Sequence, residues 1–129
     1  ITKNKEVVLV RQYRPASGSY TLELPSGAKD DAEPAINAAK RELYEEAGYT
    51  STHFKSLGNN FSVMENRITG RNNFFLALQA KKDEHHVPEK NIETILVNQA
   101  KFENLMKTGK FHHTAGVAVL ALDKLHNYL

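Results

Sequence analysis

The chain has 129 residues, 40% of them apolar and 25% charged, with no cysteine. That length suits one compact domain with its own core, the composition argues against disorder, and the missing cysteines exclude a disulfide framework or a thiolate zinc centre. The net charge of +2, from 17 basic and 15 acidic residues, gives no long-range attraction to nucleic acid or to a membrane surface.

In chain order, Glu6 to Tyr13 is a β-branched apolar run that reads as a buried strand, broken at Pro15, Ser17 and Gly18. Tyr20 to Leu24 alternates and reads as a second strand, ended by Pro25-Ser26-Gly27. A helix is predicted from Asp30, with its acidic residues and Pro34 in the first turn, through Ala47 to a stop at Gly48. Ile36, Ala39, Leu43 and Ala47 would form its buried stripe. Thr52 to Phe61 is predicted as a strand, Met64 to Asn72 as a loop, and Phe74 to Leu78 as a core strand. Lys81 to Asn91 is charged, contains Pro88 and reads as an exposed loop. Ile92 to Val97 follows as a strand, and Ala100 to Lys107 and Thr114 to Leu129 as helices. Mixed strands and helices with several adjacent strands favour an α+β fold with a mixed-sheet sandwich. No apolar run approaches the roughly 20 residues of a membrane span, and no signal peptide is visible. The chain opens on Ile1 rather than Met, so it is read as a fragment or processed form. A cytoplasmic location fits a chain without cysteine.

Acidic residues gather between positions 30 and 46. On a helix Glu42 and Glu46 are one turn apart and share a face, with Glu45 beside them. Carboxylates so placed repel one another unless a cation neutralises them, and hard oxygen ligands suit Mg2+ or Mn2+. Arg41 is placed to pair with Glu33, if the chain bends back, or with a carboxylate of the cluster. The plainer account of a Glu-rich helix is a solvated face. The adjacent pairs His85-His86 and His112-His113 diverge in direction, chelate poorly and are expected at the surface. Phe74 and Phe75 are expected in the core; Phe61 and Tyr13 are candidates to stack on a nucleobase, against a plainer account as core or rim packing.

The string Gly27-x5-Glu33-x7-Arg41-Glu42-Leu43-x-Glu45-Glu46-x-Gly48-Tyr49 resembles the Nudix box, with Tyr49 at the final aliphatic position its one departure. The resemblance implies an α/β/α sandwich with a mixed β-sheet, and metal-dependent hydrolysis of a nucleoside diphosphate linked to another moiety. It implies Glu42, Glu45 and Glu46 as metal ligands, with the Ser26 carbonyl as a further one. It also implies Arg41 and Glu33 as the supporting pair and Gly27 as the turn glycine. Val10-Arg11-Gln12-Tyr13-Arg14-Pro15 and Leu22-Glu23-Leu24-Pro25-Ser26-Gly27 resemble the ADP-ribose and nucleotide-sugar pyrophosphatase branch.

Matching positions of that branch imply that Arg14 and Glu23 contact substrate; an ordinary strand-edge ion pair is the plainer account of both. Arg67 and Arg71 are placed for phosphate or sugar contacts, against a plainer account as solvated loop residues. A general base is expected from Glu45 or Glu46, or, as in the branch, from a later acidic stretch, where Glu84, Glu89 and Glu93 stand. Val63 and Met64 replace a proline usual in the branch, and its N-terminal dimerisation subdomain is missing, so the domain expected over residues 1–129 is a single Nudix domain without it. The partner expected is a small-molecule nucleotide, with no nucleic acid or membrane, and a homodimer for a full-length form. The rival functions are a house-cleaning hydrolase of nucleoside triphosphates or dinucleoside polyphosphates, and a catalytically silent nucleotide-sensing module.

Overall fold

The structure is a computed structural model that describes residues 1–64 and 67–128. Strand β1 (Glu6–Arg14) lies at the centre of a three-stranded sheet, between β2 (Ser19–Glu23) and β7 (Ile92–Asn98), and both pairings are antiparallel. The reason is visible in the run Val7-Val8-Leu9-Val10. All four residues are buried, and Leu9 and Val10 are 0% exposed, so the strand is covered on both faces. Full burial of each such side chain is worth about 1.5–3 kcal/mol. Alternation then divides the sheet. Val8 and Val10 pack against Leu43 and Ala47 of α1 (Ala35–Ala47), while Val7 and Leu9 pack with Val97, Phe111 and Phe102 of α2 (Gln99–Lys107).

The rest of the sandwich is a long antiparallel hairpin of β4 (His53–Met64) and β5 (Ile68–Leu78), with register shifts along its length. Helix α3 (Thr114–His126) covers it, setting Ala115, Ala118, Val119 and Leu122 against Leu57, Phe74 and Leu76. A parallel bridge from Thr2 to Ala80 links the start of the chain to the end of the hairpin. Short strands β3 (Tyr49–Thr50) and β6 (Lys81–Lys82) pair beside it. Helices therefore lie on both faces of an α+β sandwich. No helix among the described residues is long and apolar enough to cross a membrane.

Several expectations change. Most of the stretch Met64 to Asn72 is strand, because β4 runs on to Met64 and β5 starts at Ile68. Helix α1 starts at Ala35, not Asp30: Pro34 is its N-cap with ψ 136°, an extended conformation that leaves the acidic residues in the preceding loop. Its buried residues are Ala38, Leu43 and Ala47, with Ile36 and Ala39 only half-buried. The loop after Leu78 contains β6, and α3 ends at His126, with Leu129 outside the described residues. Phe74 is buried and Phe75 half-buried; Phe61 and Tyr13 are exposed, Phe61 packing at a tilt on Phe74 and Tyr13 meeting Tyr20 edge-on.

Candidate active site

Arg41 organises the site. Its guanidinium donates to both carboxylate oxygens of Glu33, at 3.3 and 3.1 Å, and to Glu42 at 2.5 Å and Glu45 at 3.1 Å. A further bond to the Ala28 carbonyl, at 2.9 Å, pins the loop between β2 and α1. Glu33 lies before the helix, so the chain does bend back to reach Arg41. The pairing holds Arg41 firmly protonated, with Glu33 the largest contributor, and holds the Glu33 carboxyl below the usual carboxylate range.

Two backbone positions complete the turn. Gly27 lies directly against the Glu42 carboxylate, and an added Cβ would overlap it. The neighbouring Ser26 N–H donates to Glu46 at 2.9 Å, which brings the Ser26 main chain to the cluster. Burial pushes the Glu46 carboxyl up to about 7; the nearby charges of Glu42 and Glu23 add to this, and Ser26 N–H and Arg14 oppose it.

Arg14 and Glu23 stand across from the helix, on the sheet face that packs against α1. Their bonds are bidentate, at 2.8 and 2.6 Å, and Glu23 also accepts from Thr21 at 2.5 Å and Gln12 at 3.4 Å. Glu23 is 7% exposed, and the Arg14 hydrogen bond holds its carboxyl below the ordinary range against the opposing effect of burial. Beside them opens a cavity of about 1190 Å³ whose walls include Arg14, Ser26, Gly27, Glu42, Arg71 and His113.

The remaining expected residues divide by position. Arg71, on β5, reaches the cavity, while Arg67 is exposed in the turn between β4 and β5. Glu84 and Glu89 are exposed in the loop between β6 and β7. Glu93 pairs with Arg11 at 3.3 Å on the sheet face away from α1, since its neighbour Thr94 is the residue that reaches the α1 carbonyl of Ala47. Two histidines expected at the surface are half-buried instead. The Leu24 N–H approaches His113 Nδ1 at 3.4 Å, and burial lowers the His113 pKa. His86 Nε2 bonds the Glu45 carbonyl at 2.9 Å.

Among the described residues no three carboxylates or imidazoles already converge on one point as a metal shell. The donor set nevertheless fits a hard divalent cation: Glu42, Glu45 and Glu46 leave one stretch of helix beside the Ser26 backbone. Arg41 engages one oxygen of Glu42 and one of Glu45, and its bidentate bond to Glu33 keeps the guanidinium in place.

A model of the NUDIX domain matches residues 1–125. The chain belongs to the Nudix family. Over 43 residues it is 56% identical to an ADP-sugar pyrophosphatase of Mus musculus, covering 33% of this chain and 20% of that protein. Over 48 residues it is 42% identical to an ADP-ribose pyrophosphatase of Saccharomyces cerevisiae, covering 37% of this chain and 21% of that one. These alignments thus span about a fifth of each Nudix relative. The crystal structure of an ADP compounds hydrolase shares the fold, with TM-score 0.81 at 22% identity over 96% of this Nudix chain and 66% of the other.

Proposed function

We propose that this Nudix chain hydrolyses the pyrophosphate bond of a nucleoside diphosphate linked to another moiety, ADP-ribose or a related nucleotide sugar, with Mg2+ as cofactor and Mn2+ as a substitute. The observation that carries this reading is the Arg41 hub, which gathers Glu33, Glu42 and Glu45; Glu42 of this cluster lines the 1190 Å³ cavity, as does Arg14. The names of the partly aligned relatives, an ADP-sugar and an ADP-ribose pyrophosphatase, favour the nucleotide-sugar class.

In this reading Glu42, Glu45, Glu46 and the Ser26 carbonyl hold the cation. When bound, it neutralises phosphate charge and lowers the pKa of the attacking water. Arg41 offsets the mutual repulsion of the carboxylates and is itself held by Glu33. Arg14 and Arg71 face the cavity as cationic contacts for phosphate, with Glu23 orienting Arg14. The water proton passes to a carboxylate: Glu45 or Glu46 on the helix, or Glu84 or Glu89 once the loop meets substrate. Glu93 has the poorest placement for this, being engaged by Arg11 on the other face.

The test is a substrate panel of ADP-ribose, other nucleotide sugars, nucleoside triphosphates and dinucleoside polyphosphates, with and without Mg2+. Mg2+-dependent release of AMP from ADP-ribose supports the reading. Faster turnover of triphosphates or dinucleoside polyphosphates contradicts the substrate class. Nucleotide binding without turnover of any of them contradicts the enzyme itself and favours a sensing module.

A further inference from the structure

A helix ends with its last carbonyls unpaired, and they need partners from elsewhere. At the C-terminus of α1 those partners come from three places. Gly48, left-handed at φ 72°, donates its N–H to the carbonyls of Leu43 and Tyr44. Thr94 Oγ1 of β7 donates to the Ala47 carbonyl at 3.2 Å. The Glu45 carbonyl is met by His86 Nε2 at 2.9 Å, across 41 residues of sequence. A carbonyl only accepts, so Nε2 is the nitrogen that carries the hydrogen.

The His86 ring is fixed by more than this bond. It meets the Tyr44 ring edge-on, with centroids 5.1 Å apart. It also lies flat against Gly48, where an added Cβ would stand 2.6 Å from Nδ1. The loop behind it is tied to the same turn, because Asp83 N–H donates to the Gly48 carbonyl at 2.8 Å. Asp83 in turn accepts from the His86 N–H at its carbonyl and from the His85 N–H at its side chain. One imidazole thus joins the helical turn bearing Glu45 and Glu46 to the loop bearing Glu84 and Glu89.

We propose that His86 is a positioning residue for the hydrolysis: acting through the Glu45 backbone, it fixes the ligand-bearing turn of α1 relative to the loop between β6 and β7. The inference rests on reading Glu42, Glu45 and Glu46 as the cation ligands. Displacement of a reacting group by as little as about 1 Å costs up to about 10²-fold in rate, so a clamp on this turn acts on chemistry more than on substrate capture.

Three variants of the full chain separate the clamp from packing. His86→Phe keeps an aromatic ring against Tyr44 and Gly48 but has no donor; His86→Gln keeps a donor at the same reach; His86→Ala removes both. Mn2+ affinity is measured calorimetrically, kcat and KM on ADP-ribose, and unfolding by heat. The expected result is Mn2+ binding weakened about tenfold in His86→Phe and His86→Ala, with kcat reduced and KM little changed, and recovery in His86→Gln. Wild-type Mn2+ affinity and kcat in His86→Phe, whatever its unfolding midpoint, overturn the proposal, as does a His86→Gln variant no better than His86→Ala. A wild-type chain that neither binds Mn2+ nor turns over ADP-ribose overturns the functional reading, and the clamp with it.

Discussion

Arg41 holds Glu33 through two hydrogen bonds, at 3.1 and 3.3 Å, while single bonds from the same guanidinium reach Glu42 and Glu45. Two hydrogen bonds thus hold the residue outside the helix, and one holds each of the two within it. In the proposed function Glu33 therefore anchors Arg41 beside the cation ligands Glu42 and Glu45. Glu33→Gln keeps the size but loses the charge, and its expected effect is a loss of about 10- to 100-fold in Mg2+ affinity or turnover. Titration of the variant with Mg2+ under turnover checks this, and an unchanged activation curve contradicts it.

Gly27 offers a way to disturb one ligand without unfolding the protein. A Cβ there overlaps the Glu42 carboxylate, which is the far end of a flexible side chain and moves aside easily. Gly27→Ala is therefore expected to unfold within a few degrees of wild type while losing at least ~10-fold in metal affinity, the scale of disturbing a supporting contact. Thermal unfolding and Mn2+ calorimetry on the same sample separate the two effects.

Gly48 is expected to behave in the opposite way. Its φ of 72° lies in the left-handed region, and His86 occupies the space where a side chain would go. Gly48→Ala should destabilise the fold by about 1–2 kcal/mol from backbone strain alone, with displacement of His86 added to it. Chemical denaturation measures the loss, and a variant as stable as wild type would show that the turn is not constrained as described.

The metal-free protein should carry a pH signature from Glu46. Its folded pKa is raised from 4.5 to about 7, mainly by burial, so the folded chain holds the proton more tightly than the unfolded one. That contribution to stability is fully present below pH 4.5 and is lost as pH rises through about 7. Glu23 has the opposite sign: its folded pKa is lowered, so its contribution is present above 4.5 and lost as pH falls through the lowered value. In chelator, the unfolding midpoint of wild type should therefore drop between pH 4.5 and 7 relative to Glu46→Gln, and metal binding near pH 6 should release a proton. Parallel midpoint curves for the two proteins would contradict the assignment.

Much of the scaffold was legible because local pattern and tertiary demand agree. The run from Glu6 to Tyr13 reads as a buried strand, and Val7 to Val10 are buried within β1. Gly48 reads as a helix stop, and its left-handed φ ends α1. The start of α1 is not legible, because Asp30, Asp31 and Glu33 imitate an acidic first turn, whereas Pro34 sits extended just outside the helix. The strand pairing toward the end of the β4–β5 hairpin is not legible, because its residues are polar and include Gly70, so they show no clear alternation. The spacing of Glu42, Glu45 and Glu46 was legible as a shared helical surface. The contacts of His86 with Glu45 and of His113 with Leu24 cross 41 and 89 residues and leave no local signal.

The proposed metal-dependent hydrolysis by the carboxylates on the last turns of α1 is tested most directly by the Mg2+-dependent turnover of ADP-ribose by Glu45→Gln and Glu46→Gln beside wild type, with folding checked by circular dichroism. The expected result is a fall of at least ~10²-fold in kcat for each, as loss of a base or a metal ligand requires, in proteins that remain folded. Near-wild-type turnover in both variants would contradict it.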